Sequence, residues 1–275
     1  MKINQLGKFG AALGTLLLLS GLSATPAKAV LITEFDYVVS SGFSAFAPNP
    51  GVTPSMTGSL GLPTVLSWGV AAGSGQSALS VSDPIVGGPP DLFTNGALVP
   101  GATLTHDNFP IFAPFLTSAQ LATVLTLTPA APPGPTLPPI GPALFNILFV
   151  ETLNQSDSCP NGQGGPLGSP MCADIFVLLN PADLDVPLGF LGGDLYFYTA
   201  HLILEDLAVL TPAQCAAAGA GAGCQGLITA ENGTSTFDSF FGITAELRTV
   251  PEPGTLGLLG LIFVAMGFVR RRRVA

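Results

Sequence analysis

The sequence predicts an all-β protein, an antiparallel β-sandwich of jelly-roll-like or Ig-like type. Three observations carry that reading. Short apolar runs recur from Val30 to Thr249, each bounded by Gly, Pro, Ser or Asn. Several alternate apolar and polar residues, the period of a half-buried strand. No stretch of any length shows the 3.6-residue apolar period of an amphipathic helix.

The chain opens with a different kind of segment. Lys2 and Lys8 precede the apolar run Phe9–Leu22, and Ala27-Lys28-Ala29 supplies small residues at the positions that specify cleavage. Residues 1–29 therefore read as a helical signal peptide, cut after Ala29. Export to an oxidising compartment follows.

Nine runs then read as strands: Leu31–Val39, Thr64–Val70, Ser77–Ser82, Ala102–Thr105, Thr123–Thr128, Ala143–Thr152, Ile175–Leu179, Leu195–Leu204 and Phe237–Leu247. In Leu195–Leu204 one face takes Tyr196, Tyr198, Ala200, Leu202 and Leu204, and His201 falls on the other. Asn95-Gly96, Asn161-Gly162 and Asn232-Gly233 mark turns, the first and last of them read as hairpins. Two short helices are expected, at Thr117–Thr123 and Thr211–Ala218. In the second, Thr211 caps the helix and Pro212 fits its first turn. Pro129–Pro142 holds seven prolines in fourteen residues. Such a stretch either divides two domains or forms a polyproline loop over one sandwich. The loop is the reading adopted, because the segment before it makes a small core. Residues 30–249 are thus taken as one exported domain.

Four cysteines fall in two local pairs, each bracketing a Gly-, Pro- or Ala-rich loop. Disulfides Cys159–Cys172 and Cys215–Cys224 are expected. The spacings do not suit zinc. Charge is lopsided. Val30–Thr249 holds sixteen acidic residues, one basic residue (Arg248) and no lysine, a net charge near −15 against −9 for the whole chain. That surface repels nucleic acid and anionic lipid, and the missing lysine excludes Schiff-base chemistry. It also tolerates divalent cations. Asp183, Asp185 and Asp194 lie in expected loops, where oxygen ligands suit calcium; there is no twelve-residue calcium-loop pattern. No other cofactor is expected.

The carboxyl end has three parts. Val250-Pro251-Glu252-Pro253-Gly254 is kept extended by its prolines. The uncharged run 254–269 spans roughly 24 Å as a helix at about 1.5 Å per residue. That is short for a hydrocarbon core of about 30 Å. Arg270, Arg271, Arg272 and Arg273 follow and stay cytoplasmic, which places the preceding domain outside. A Pro-Glu-Pro spacer, a transmembrane helix and a basic tail resemble the PEP-CTERM sorting signal of Gram-negative bacteria. The resemblance implies an exosortase as partner and transient residence in the inner membrane. A permanent single-span anchor is the alternative.

Leu104-Thr105-His106-Asp107-Asn108-Phe109-Pro110-Ile111 stands out within the domain. Thr105, His106 and Asn108 followed by Pro-Ile resemble the THxN family of PEP-CTERM proteins. So do Trp68-Gly69, Glu151-Thr152 before Cys159, Cys172-Ala173-Asp174, Thr229 and Glu231-Asn232-Gly233. The family resemblance implies an exported β-rich domain and supplies no mechanism. By its residues the string reads first as a structural corner whose side chains bond nearby backbone. Ligand contact and catalysis remain open beside it. No serine sits in a Gly-x-Ser-x-Gly elbow, and no spacing joins His106, Asp107 and His201 into a metal site. No catalytic residue is assigned. Trp68 reads as core; Phe43, Phe46 and Phe93 are the better candidates for stacking on sugar.

The expected function is that of a non-enzymatic structural or adhesive protein at the cell surface, the periplasm-facing membrane or the exopolysaccharide-rich matrix of a biofilm. The alternatives are an exopolysaccharide-binding module and, less favoured, a secreted hydrolase.

Overall fold

The computed structural model describes residues 30–73, 75–87, 91–152, 172–180, 183–191, 193, 195–248 and 260–261. The signal peptide, the sorting tail from Val250 (apart from Gly260 and Leu261), Cys159, Asn161 and Asp194 lie outside them. Among the described residues no helix is long and apolar enough to cross a membrane.

Two antiparallel sheets carry the fold. The first runs in the order β15 (Ala208–Val209), β16 (Gln225–Thr229), β12 (Asp174–Leu178), β11 (Ile140–Val150), β10 (Ser118–Ala131), β1 (Glu34–Ala47) and β6 (Ile85–Val86), with β7 (Leu92–Phe93) also paired to β1. The second runs β13 (Asp183–Phe190), β14 (Tyr196–Leu204), β17 (Thr234–Leu247), β8 (Val99–Asp107), β5 (Ser77–Val81), β3 (Pro63–Trp68) and β2 (Val52–Thr57). A small ladder joins β4 (Val70–Ala71) to β9 (Ile111–Phe112). Each of the nine expected strands overlaps one of these.

Aromatic pairs bridge the two sheets and define the sandwich. Phe35 meets Tyr198 at 6.1 Å between centroids, Tyr37 meets Phe241 at 4.7 Å, and Phe176 meets Phe237 at 5.1 Å. Edge-on and tilted contacts suit the ring quadrupoles. The Tyr198 hydroxyl, with its ring buried, accepts the Ile32 N–H at 2.7 Å. In β14, Tyr198, Ala200 and Leu204 are buried as the alternation requires, while His201 faces outward.

Differences from the sequence reading have local causes. Thr117–Thr123 is not a helix. Ser118 onward joins β10, paired on one side with β1 and on the other with β11. The helix-favouring Ala-Gln-Leu-Ala yields there to two ladders and to the β-branched residues that follow. Strands β2 and β13, which are not among the nine expected runs, contain Pro54 and Pro187. Both lie at the edges of the second sheet, where a missing N–H is tolerated. The Asn95-Gly96 and Asn232-Gly233 turns form, with φ of +58° and +56° at the asparagines. Neither is a hairpin turn: each passes the chain from the first sheet to the second, β7 to β8 and β16 to β17. Phe43 is buried within β1 and offers no platform for sugar.

The proline-rich segment connects β10 to β11, which pair antiparallel. It folds back on β10: Leu137 N–H donates to Leu127 O at 2.8 Å, and the Thr128 and Thr136 hydroxyls meet at 2.9 Å. The core draws on both sides of this segment, from Phe35 to Ile243. Strand β12 is buried throughout. Its outer face, Ile175 and Val177, packs against Leu210, Cys215 and the short helix α1 (Pro212–Ala217). Thr211 and Gln214 cap α1 reciprocally. One disulfide, Cys215–Cys224, is formed among the described residues, with Cα atoms 5.8 Å apart. Of the other expected pair, Cys172 is buried and disulfide-bonded.

Candidate functional site: a polar cluster sealed between the sheets

Strand periodicity assembles this site. In the first sheet, Phe149 of β11 pairs with Phe176 of β12, and Asp174 of β12 pairs with Thr229 of β16. Side chains two residues apart share a face. Glu151 therefore follows Phe149 onto the inner face, beside Asp174 and Thr229. In the second sheet, Leu66 and Trp68 of β3 face inward, as do Leu104 and His106 of β8. The two rows meet at one end of the sandwich.

The rings pack first. Trp68 lies parallel to His106, 5.7 Å away with 10° between planes. Phe149 stands edge-on to both, at 5.1 Å and 4.8 Å. The Trp68 indole N–H donates to Glu151 Oε2 at 2.9 Å. His106 Nδ1 is 2.9 Å from Thr229 Oγ1, and its Nε2 is 3.8 Å from Asp174 Oδ2. Asn108 Nδ2 donates to Thr229 O at 3.1 Å, and Asn108 N–H donates to Gly233 O at 2.9 Å. Asp174 Oδ1 accepts the Thr152 N–H at 2.9 Å. Across Glu231, Asn232 and Gly233 the chain turns into β17, closing the end.

The cluster is largely buried and acid-rich. Asn108 is 0 % exposed, Thr229 and Asp174 1 %, and His106 2 %. Among the described residues, His106 Nε2, Asn108 Oδ1 and both Glu231 carboxyl oxygens have no hydrogen-bond partner, while the Glu151 and Asp174 carboxyls lie within hydrogen-bond reach of each other. Burial pushes His106 down to about 3, so its imidazole is neutral. Burial raises Glu151 to about 7; the Glu231 charge adds to this and the Trp68 N–H opposes it. Asp174 is raised by burial and by the Glu151 charge, and Glu231 by burial. Among the described residues no three of His, Cys, Asp and Glu are arranged to hold a metal ion.

The string is therefore tied over long range. Its side chains bond not to nearby backbone but to Thr229, 121 and 123 residues away. Thr105 is half-buried on the opposite face of β8, and Asp107 accepts from the Thr234 hydroxyl at 2.6 Å. His201 is elsewhere. It sits on the outer face of β14, 2.6 Å from both Asp185 and Thr244 Oγ1. Asp183 and Asp185 are exposed on strand β13 rather than in a loop. The cluster was not singled out from the sequence as a site. Its signal was present, since Trp68, Glu151, Asp174, Thr229 and Glu231 all carry the family resemblance. A separate apolar cavity of about 250 Å³, lined by Val39, Leu125, Ile140, Ala200 and Phe241 among others, shares no residue with the cluster.

Comparison with known proteins bears on the tail. Residues 249–273 match the family described as the PEP-CTERM protein-sorting motif. The chain carries a PEP-CTERM sorting signal. The match spans Val250–Gly254 and Arg270–Arg273 and none of the sandwich. No curated protein matches the chain. A PEP-CTERM signal implies export across the inner membrane to the cell surface and processing by an exosortase, a membrane enzyme. The acidic, disulfide-bearing sandwich fits that destination.

Proposed function

We propose that this PEP-CTERM protein is a structural or adhesive component of the cell surface or extracellular matrix of a Gram-negative bacterium, and not an enzyme acting on external substrates. One observation carries the reading: the chemistry-bearing residues of the Thr-His-x-Asn cluster are closed inside the sandwich, not set in an open cleft. Among the described residues the other carboxylates lie mostly at or near the surface, where they serve solubility. A matrix role fits a lysine-free domain with a net charge near −15.

Binding to exopolysaccharide is a second reading. Phe190, exposed on β13, lies edge-on to Phe197 at 5.4 Å, and Arg248 stacks on Phe197 at 4.2 Å. Such an aromatic and cationic surface can stack on sugar rings.

Deleting the gene in the native host, with complementation, tests the proposal. Loss of cell–cell cohesion or of matrix, restored by wild type, is expected. A mutant with unaltered cohesion and matrix, or a purified protein that degrades host polysaccharide in a His106-dependent way, would contradict it. Retention of wild type but not Phe190→Ala on host exopolysaccharide would establish the second reading.

A further inference from the structure

Thr229, His106 and Asp174 form a chain of hydroxyl, imidazole and carboxyl. Thr229 Oγ1 is 2.9 Å from one imidazole nitrogen, and the other faces Asp174 at 3.8 Å. The hydroxyl–imidazole contact is the one by which a hydroxyl nucleophile is activated; the carboxyl stands nearby, beyond hydrogen-bond length. Here that contact is sealed from solvent, so no external substrate reaches it. Only an electrophile already inside the core can react. One carboxamide qualifies. Asn108 is fully buried, its Nδ2 donates to the carbonyl of Thr229 itself at 3.1 Å, and its Oδ1 is unpartnered.

We propose that Thr229 Oγ attacks the Asn108 side-chain carbonyl carbon to form an intramolecular ester, a covalent staple between β16 of the first sheet and β8 of the second. The Oγ–Cγ bond forms and the Cγ–Nδ2 bond breaks. The hydroxyl proton passes to His106 Nδ1, which delivers it to the departing nitrogen, and this leaves as ammonia. One hydroxyl and one carboxamide give one ester and one ammonia, with no oxidant or cofactor. Burial keeps the imidazole neutral, the form that accepts a proton, while lowering His106 to about 3, which makes it a weak base and the step slow. The same exclusion of water protects the ester from hydrolysis. The inference does not depend on where the protein acts.

Peptide mapping of the purified full chain, reduced and alkylated, tests it. The expected product joins the peptides carrying Asn108 and Thr229 and weighs one ammonia, about 17 Da, less than their sum. Thr229→Ser should retain the link. The near-isosteric Thr229→Val, which keeps the fold without the hydroxyl, should lose it, as should His106→Ala. Recovery of both wild-type peptides separately at full mass overturns the proposal. So does an ammonia loss confined to the Asn108 peptide, which signifies a succinimide with the following backbone nitrogen.

Discussion

Trp68 of β3 and His106 of β8 stack face to face over β5, the strand between them in one sheet, with 5.7 Å between centroids and 10° between planes. The same indole reaches over to the other sheet through its N–H to Glu151. Trp68 is thereby the hinge-pin of the polar cluster, and it is the sole tryptophan of the chain.

Replacing Trp68 by Phe should keep much of the stack and remove the donor. Glu151 Oε2 is then left buried and unpaired, which costs about 1–3 kcal/mol. Denaturant unfolding followed by circular dichroism should show a lower midpoint, and Glu151 should titrate higher still.

The buried carboxyls set a pH dependence of unusual sign. Glu151, raised to about 7, binds its proton more tightly in the folded state, as do Asp174 and Glu231. Their contributions are fully present below the ordinary carboxylate range; that of Glu151 is lost as pH rises through about 7, and those of Asp174 and Glu231 as pH rises through their own raised values. His106, lowered to about 3, acts oppositely: it favours folding above the usual histidine range and loses that contribution as pH falls through about 3. The two effects oppose each other in mildly acidic solution. Above about pH 6.5 only the carboxyls act, so the melting temperature should fall between pH 6.5 and 8.5. Glu151→Gln should flatten that fall; a melting temperature that rises over this range refutes the assignment.

The Cys215–Cys224 bond closes a short loop over α1. Replacing both cysteines by Ala should cost about 2–4 kcal/mol by loosening the constraint on the unfolded chain. Urea unfolding of the double variant against wild type measures it.

Asn232 holds a φ of +56° where the chain crosses from β16 to β17. Asn232→Ala should destabilise by about 1–2 kcal/mol, because a Cβ without a local hydrogen bond is strained there. Asn232→Gly should be close to neutral. Equal effects of the two variants in thermal unfolding would contradict this.

Much of the sandwich was legible because its strands obey the period of two. The run Tyr196–Leu204 states its buried face outright, and Thr211-Pro212 states the start of α1. What escaped was set by neighbours. Nothing local in Ser118–Val124 foretells two pairing partners, and Pro187 reads as a break until β13 is known to lie at an edge. The cluster escaped for a related reason. Trp68, His106, Glu151, Asp174 and Thr229 are scattered over 162 positions, and only cross-strand register brings them together. The sorting motif of residues 249–273 was legible, since it lies in contiguous residues.

The central claim is that the Thr-His-x-Asn string points inward, joining Trp68 and Glu151 in a closed cluster. Tryptophan emission, recorded against pH in wild type and in Glu151→Gln, tests it most directly. A blue-shifted spectrum whose intensity titrates near pH 7 in wild type, and does not titrate in the variant, is the result expected. A red-shifted, solvent-exposed spectrum, or one that titrates identically in both proteins, would contradict the account.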